Sequence, residues 1–229
     1  NLTGFQDTAI ISGALKTQDG LSTMDIMKPV RFTTDVLIVG ARPAGLSAAI
    51  ELKKQGVKNL LVVEREPEAG GMPRLCHHTG FGREDLWRMM QGPSYAKYYR
   101  ERAENAGVEI FTSTTITDWA NAGASHLHEQ TNANLSGATH SLFFTSPSRL
   151  GEINARAVLL ATGVRERPRS ARLVPGSRPQ GIYTTGSLQR FVYQEHLPVG
   201  KRAVIVGAEL VSLSALLTLM HAHVECSAM

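Results

Sequence analysis

The chain has 229 residues, of which 42% are hydrophobic and 19% charged, with a formal net charge of +4 and a mean hydropathy of −0.11. This balance indicates a globular chain with a buried core and excludes a disordered or collagen-like protein. The two cysteines, Cys76 and Cys226, are too few and too far apart for a disulfide scaffold. We therefore predict a reducing, cytoplasmic compartment.

The positive charge is dispersed along the chain. Its densest stretch, 165–178, mixes arginine with proline, serine and small apolar residues and lacks interleaved aromatic residues. We interpret this stretch as a solvated loop in preference to an anion-binding patch, and we predict no nucleic-acid partner. The apolar stretch 203–220 contains Gly207, Glu209 and two serines, so we interpret it as a strand followed by a helix and predict no membrane span.

The first strongly patterned segment predicts a βαβ unit. Residues 35–39 and 59–63 are short, largely apolar runs, typical of strands buried on both faces of a parallel sheet. Between them a glycine turn at 40–45 precedes a helical pattern over 46–55, which Gly56 ends. Residues 1–34 are predicted to be a tail outside the fold.

The remaining pattern predicts one α/β domain over 35–199 and the truncated start of a second, similar unit over 200–229. Residues 120–160 are rich in alanine, asparagine, serine and threonine and predict an antiparallel β-meander within the domain. The other predicted elements are helices at 84–91, 93–106 and 187–194, strands at 108–111, 114–119, 141–145, 155–161 and 202–206, and a last helix that ends near Met220. The fold class is therefore α/β, with a doubly wound parallel sheet.

The turn Gly40-Ala41-Arg42-Pro43-Ala44-Gly45 lies between the first strand and the first helix. In the pattern G-x-G-x-x-G, the first glycine makes the turn, the second admits a pyrophosphate and the third packs the helix on the strand. Glu64 ends the second strand 64 − 40 = 24 positions later, where a carboxylate binds ribose hydroxyls. Strand, turn, helix and terminal glutamate together predict a dinucleotide site.

Arg42 departs from this pattern because it replaces the middle glycine. Its cation could pair with the pyrophosphate if the side chain swings outward, which would preserve binding. Its Cβ and long stem could instead crowd the place where the backbone approaches the ligand, which would weaken binding. The residues alone leave both outcomes open.

Three motifs occur in one order: the glycine turn with Glu64, then Gly70-Gly71, then the apolar strand 157–160 followed by Ala161-Thr162-Gly163. This order resembles the pyridine nucleotide–disulfide reductases, flavoproteins with two dinucleotide-binding domains. The resemblance implies a Rossmann-like FAD-binding domain, an oxidoreductase activity and FAD as the cofactor. The residues that it assigns to the FAD site are Gly40, Ala41, Arg42, Pro43, Ala44, Gly45, Glu64, Arg65, Gly70, Gly71, Met72, Ile116, Ala161, Thr162 and Gly163.

Shorter loops narrow the resemblance. Residues 70–74, 163–168 and 183–186 are similar to segments of the flavin subunits of amine, opine and proline dehydrogenases and of hydrogen cyanide synthase. This similarity implies dehydrogenation of a small amine, an imino acid or a related metabolite, with other subunits as partners. The second cysteine of the disulfide reductases is missing, since Phe81 stands five residues after Cys76. We therefore predict no redox-active disulfide, and interpret Cys76 as a structural thiol or a residue near the flavin.

The second strand–glycine–helix unit contains Gly207, Ala208, Glu209, Leu210 and Ser212. In the family this unit opens an NAD(P)-binding domain. A carboxylate at the middle glycine position would repel and crowd a pyrophosphate, and the pattern predicts no partner strand for this unit. We expect a structural Rossmann half in preference to an NAD(P) site.

Three histidine pairs, at 77–78, 126–128 and 221–223, lack further ligands at metal-site spacing, so we predict no metal. The sequence identifies no catalytic base. Beside the FAD-dependent dehydrogenase of a small-molecule substrate, two alternatives stay open. One is an NAD(P)H-dependent flavin reductase, against which Glu209 speaks; the other is a truncated, non-catalytic interaction subunit, which Arg42 and Glu209 favour.

Overall fold

The computed structural model describes residues 29–120, 140–177 and 179–229. The predicted tail before residue 29 and the histidine pair at 126–128 lie outside this part of the chain. In chain order the elements are β1 (Val30–Val39), α1 (Pro43–Lys54), β2 (Leu60–Val63), β3 (Thr79–Phe81), β4 (Met90–Gln91), α2 (Gly92–Asn105), β5 (Glu109–Phe111), β6 (Thr115–Trp119), β7 (His140–Thr145), β8 (Leu150–Leu160), α3 (Thr185–Tyr193), β9 (Arg202–Val204), α4 (Leu210–His221) and β10 (Glu225–Ala228). Short 3-10 helices lie at Met72–Leu75 and Arg169–Arg172.

The main sheet has six strands in the order β5-β2-β1-β8-β7-β6. Its first four strands are parallel, whereas β6, β7 and β8 form an antiparallel meander, as predicted. Val39 lies level with Val63 and with Leu160, and Val63 lies level with Phe111. The carboxyl ends of four strands therefore meet at one edge, which is where open α/β sheets bind their ligands.

Two apolar clusters cover the two faces of this sheet. Successive side chains of a strand point to opposite faces, so Ile38 packs with Leu46 of α1 and Ala103 of α2, whereas Leu37 packs with Leu142 of the meander. All four β2 residues are buried, as expected for a parallel strand covered on both faces. This packing holds the glycine turn between β1 and α1.

Two predictions of secondary structure are wrong. Residues 84–91 do not form a helix; the Gly82 carbonyl accepts the N–H groups of Leu86 (3.0 Å) and Arg88 (3.1 Å), which curls the chain into a tight loop between β3 and β4. Residues 30–34, predicted to belong to the tail, are the first half of β1, because they pair with residues 151–155 of β8.

The second unit is also more complete than predicted. A strand, β10, follows α4 and pairs in parallel with β9, so the expected absence of a partner strand is wrong. Apolar side chains of α4 and of the segment after it pack against Leu188 of α3 and join the unit to the preceding domain. No helix in the described ranges is long and apolar enough to cross a membrane.

Candidate dinucleotide-binding site

The glycine turn between β1 and α1 has no room for side chains at its first and last positions. Gly40 has a φ of +111°, and a Cβ there would lie 2.3 Å from the Ala161 carbonyl oxygen. A Cβ on Gly45 would lie 2.0 Å from the Gly40 carbonyl oxygen. The backbone of the glycine turn is therefore in direct contact with α1 and with the segment after β8. No side chain fits at position 40 or position 45, which explains the glycine at both.

Glu64 directly follows β2, and its carboxylate holds the glycine turn in place through a hydrogen bond to Ala41. Its side chain is buried, with the residue 4% exposed, and its Oε2 accepts the N–H of the fully buried Ala41 at 2.9 Å. Its Oε1 accepts the N–H of Glu66 at 3.1 Å. A carboxylate has about four lone-pair sites, so two remain for hydroxyl donors of a ligand.

The loop with Gly70 and Gly71 lies against the same turn. Gly70 donates its N–H to the Ala41 carbonyl at 2.7 Å, and the two glycines have φ values of +122° and +64°. Glu68 pairs with Arg74 at 3.1 Å and with Arg100 of α2, which fixes the loop to that helix. The loop is thus held rigidly beside the turn.

The segment after β8 completes the edge. Ala161 donates its N–H to the Val39 carbonyl at 2.8 Å, which continues the pairing of β8 with β1. Thr162 and Gly163 follow it at the surface, and Gly163 has a φ of +72°. Three motifs that span more than 120 positions of sequence therefore meet at the carboxyl ends of β1, β2 and β8.

Arg42 lies across this meeting point. A Cβ added to Gly71 would be 2.5 Å from Arg42 Cγ, and one added to Gly163 would be 2.7 Å from Arg42 Cδ, so the stem lies directly against both glycines. Its Nη1 approaches the Val164 carbonyl oxygen at 3.4 Å, at the long limit for a hydrogen bond. The Arg42 side chain therefore fills the space between the two glycine loops at this edge of the sheet.

The other predicted site residues lie around this centre. Pro43 occupies the first turn of α1, and Ala44 is exposed beside it. Arg65 is exposed and pairs with Glu66 at 3.5 Å. Met72 begins the 3-10 helix that follows the glycine loop. Ile116 of β6 packs against the apolar cluster that contains Leu37 and Leu142.

Ser113 and Thr114 contact the backbone of Glu64 and Glu66, although no sequence pattern indicated this segment as part of the site. Thr114 donates its N–H to the Glu64 carbonyl at 2.8 Å, and Ser113, with a φ of +50°, donates to the Glu66 carbonyl at 3.0 Å. These contacts fix the residues that follow β2. They pass through backbone atoms, so no residue type signals them.

The second glycine turn is more open. Gly207 has a φ of +133°, and residues 207–210 are exposed. Glu209 is the N-cap of α4, where its side chain makes no capping hydrogen bond, and its carbonyl accepts the N–H of Ser212 at 2.8 Å. A carboxylate therefore stands at the helix N-terminus, the place where a pyrophosphate would bind.

An aromatic cluster joins the loop after Gly71 to the second unit. The His77 ring stacks on Tyr193 at 3.9 Å, and the Tyr193 hydroxyl lies 2.7 Å from His221 Nδ1. Burial, and then the charge on His221, lowers the pKa of His77.

Both cysteines are free thiols, and burial followed by the Glu166 charge raises the pKa of Cys76. In the described ranges no three His, Cys, Asp or Glu side chains are grouped as a metal site.

Comparisons with known proteins identify the family of this chain. The family model described as pyridine nucleotide-disulphide oxidoreductase matches residues 34–226. The alpha subunit of sarcosine oxidase from Corynebacterium sp. (strain P-1) is 31% identical over 179 residues, which are 77% of this chain and 17% of that protein. The A subunit of opine oxidase from Rhizobium meliloti is 31% identical over 155 residues, which are 68% of this chain and 27% of that protein.

A similar fold occurs in the crystal structure of L-proline dehydrogenase from P. horikoshii, with a TM-score of 0.65, 16% identity, and coverage of 88% of this chain and 36% of that one. The chain thus spans about a sixth to a quarter of the curated relatives named above. Because the family model covers most of the chain, the predicted family is confirmed: the chain belongs to the pyridine nucleotide-disulphide oxidoreductase family of flavoprotein oxidoreductases.

Proposed function

We propose that this chain is the FAD-binding part of an oxidoreductase that dehydrogenates a small amine or imino acid. The observation that carries the proposal is the meeting of the glycine turn, the Gly70-Gly71 loop and the segment Ala161–Gly163 at the carboxyl ends of the parallel strands. A dinucleotide needs such an edge, where backbone N–H groups and a helix N-terminus face its phosphates.

Each part of the site has a distinct role in this proposal. The N-terminus of α1 would face the pyrophosphate with its free N–H groups and the positive end of its dipole. Glu64 would accept hydrogen bonds from ribose hydroxyls through its remaining lone pairs, while Ala41 and Glu66 keep the carboxylate in place. The two glycine-containing loops would flank the cofactor.

The bound flavin would supply the redox chemistry: it would accept a hydride from the C–H bond next to the substrate nitrogen, the N–H proton would leave, and the C–N bond would become a C=N bond. The described residues would bind and orient the cofactor, and we assign none of them as a catalytic base. The substrate class follows from the names of the relatives, which are a sarcosine oxidase subunit, opine oxidase subunits and an L-proline dehydrogenase. Two of these names are those of subunits, which supports further subunits as partners of this chain.

Two alternatives lead to different experimental results. NAD(P)H-dependent flavin reduction would use the second unit, but Glu209 sets a carboxylate at the N-terminus of α4, where it would repel a pyrophosphate. A non-catalytic interaction subunit is favoured by one observation, the Arg42 stem that lies across the FAD site.

Anaerobic reduction of the flavin-loaded chain separates these functions. The purified chain, saturated with FAD, is mixed in turn with N-methyl amino acids, opines, proline, NADH and NADPH, and the absorbance of the oxidised flavin is followed. We expect an amine or imino acid to bleach the flavin and the nicotinamide nucleotides to leave it oxidised. Bleaching by NADH or NADPH alone would favour the reductase, and a chain that takes up no FAD would favour the interaction subunit.

A further inference from the structure

The Arg42 side chain has a position that the glycine pattern does not explain. Resting on the FAD site proposed above, we infer that Arg42 is a displaceable bar: its side chain lies between the Gly71 and Gly163 loops, across the path of the dinucleotide, and FAD must move it aside to bind. The bar would therefore set the apparent affinity of the chain for dinucleotides.

The packing of the stem supports this inference. Arg42 stands at the N-cap of α1, so its Cα is fixed by the helix, and its Cγ and Cδ lie against two glycines in left-handed conformations. An added Cβ would lie 2.5 Å from Arg42 Cγ at Gly71 and 2.5 Å from Arg42 Nη1 at Gly163, so both the stem and the guanidinium lie against these glycines. The two loops come together around Arg42, which fills the space between them.

The guanidinium packs against Gly163 as the stem does, but its polar anchoring within the described residues is weak. The polar contact of the guanidinium, from Nη1 to the Val164 carbonyl, is 3.4 Å long and exposed. Rotation about the side-chain bonds would break one weak hydrogen bond and leave the charge in water. The bar can thus open without a change in the backbone.

The fraction of molecules in which Arg42 has moved aside sets the expected change in the apparent Kd for FAD. A ligand that binds only the open arrangement has an apparent Kd equal to its intrinsic Kd divided by the open fraction. If the closed arrangement is favoured about tenfold, removal of the bar lowers the apparent Kd about tenfold. Glycine is well accepted at a helix N-cap, so Arg42→Gly should leave α1 intact.

The test compares FAD titrations of the wild type, Arg42→Gly and Arg42→Met at low and high salt, with Arg83→Gly in the β3–β4 loop as the control for loss of one charge. We expect Arg42→Gly to bind FAD about tenfold more tightly, and Arg42→Met, which keeps a long stem without a charge, to stay close to the wild type. Weaker binding by both variants, most marked at low salt, would show that the guanidinium pairs with the phosphates and would overturn the inference.

Hydrogen exchange of the ligand-free chains tests the bar independently of FAD. In Arg42→Gly, the hydrogen-bonded amides of Gly70, Arg74 and Ala161 should exchange faster than in the wild type, whereas Arg83→Gly should leave them unchanged. Equal exchange in all three chains would overturn the inference. If no form binds FAD, the proposed function fails, and the exchange rates alone then decide whether Arg42 joins the loops.

Discussion

Replacement of Glu64 by alanine tests the part of the site that the structure defines most sharply. The change removes the acceptor of the Ala41 N–H, and because Ala41 is fully buried, this N–H loses its protein partner in the interior. An unsatisfied buried N–H costs about 1–3 kcal/mol. The Glu66 N–H is only partly buried and should add less.

We therefore expect Glu64→Ala to lower the free energy of unfolding by about 1–3 kcal/mol, which for a chain of this length corresponds to a fall of about 2–4 °C in Tm per kcal/mol. Loss of a charge-assisted hydrogen bond to ribose should weaken FAD binding about ten- to a hundredfold as well. Urea denaturation and a fluorescence titration with FAD measure the two effects separately.

Glu66→Ala is the matched control. The Glu66 side chain is half-buried and pairs with the more exposed Arg65 and Arg190 at 3.5 and 3.6 Å. Ion pairs with a solvated partner contribute about 0–1 kcal/mol, so this variant should lose less stability than Glu64→Ala and keep nearly the wild-type FAD affinity. If the two variants behave alike in both assays, Glu64 neither holds the turn nor binds ribose, and the reasoning is refuted.

Two further predictions concern the turn and the aromatic cluster. Gly45→Ala should destabilise the chain by about 1–3 kcal/mol, because its Cβ would lie 2.0 Å from the Gly40 carbonyl oxygen. Ser47→Ala on the exposed side of α1 is the control. Equal urea midpoints for the two variants would contradict the close contact between Gly45 and Gly40. The lowered pKa of His77 means that the folded state favours its neutral form, so this residue costs stability as pH falls below the unfolded value of about 6.5. His77→Phe keeps a ring against its tyrosine neighbour, so its Tm should fall less than that of the wild type between about pH 7.5 and 5, and parallel Tm curves would contradict this assignment.

The sequence was sufficient for the parallel core because local signals coincide there. The apolar runs of β1 and β2, the glycines of the turn and the helical pattern of α1 all indicate one βαβ unit, which the structure contains. The first half of β1 was missed because the alternation of apolar and polar residues from Val30 to Thr33 is too short to be a strong strand signal, and its partner in β8 lies about 120 positions away. Such pairing has no local signal.

The loop between β3 and β4 shows how tertiary contacts override a local pattern. Leu86, Met89 and Met90 have helical spacing, but the Asp85 carboxylate accepts the hydroxyl groups of Tyr95 and Tyr99 at 2.7 and 2.6 Å. With the two bonds to the Gly82 carbonyl, these contacts hold Trp87 at a φ of +54° and exclude a helix. Likewise, the residue type at position 42 indicated a departure from the glycine pattern, but only the fold defines where its side chain lies.

Identification of the cofactor tests the central claim most directly. The chain is purified, incubated with equal concentrations of FAD, NAD⁺ and NADP⁺, freed of unbound nucleotide and denatured, and the released compounds are identified by chromatography. We predict that FAD is recovered from the wild type, in a clearly smaller amount from Glu64→Ala, and in an undiminished amount from Glu66→Ala. Recovery of a nicotinamide nucleotide in place of FAD, or of no nucleotide at all, would contradict the account.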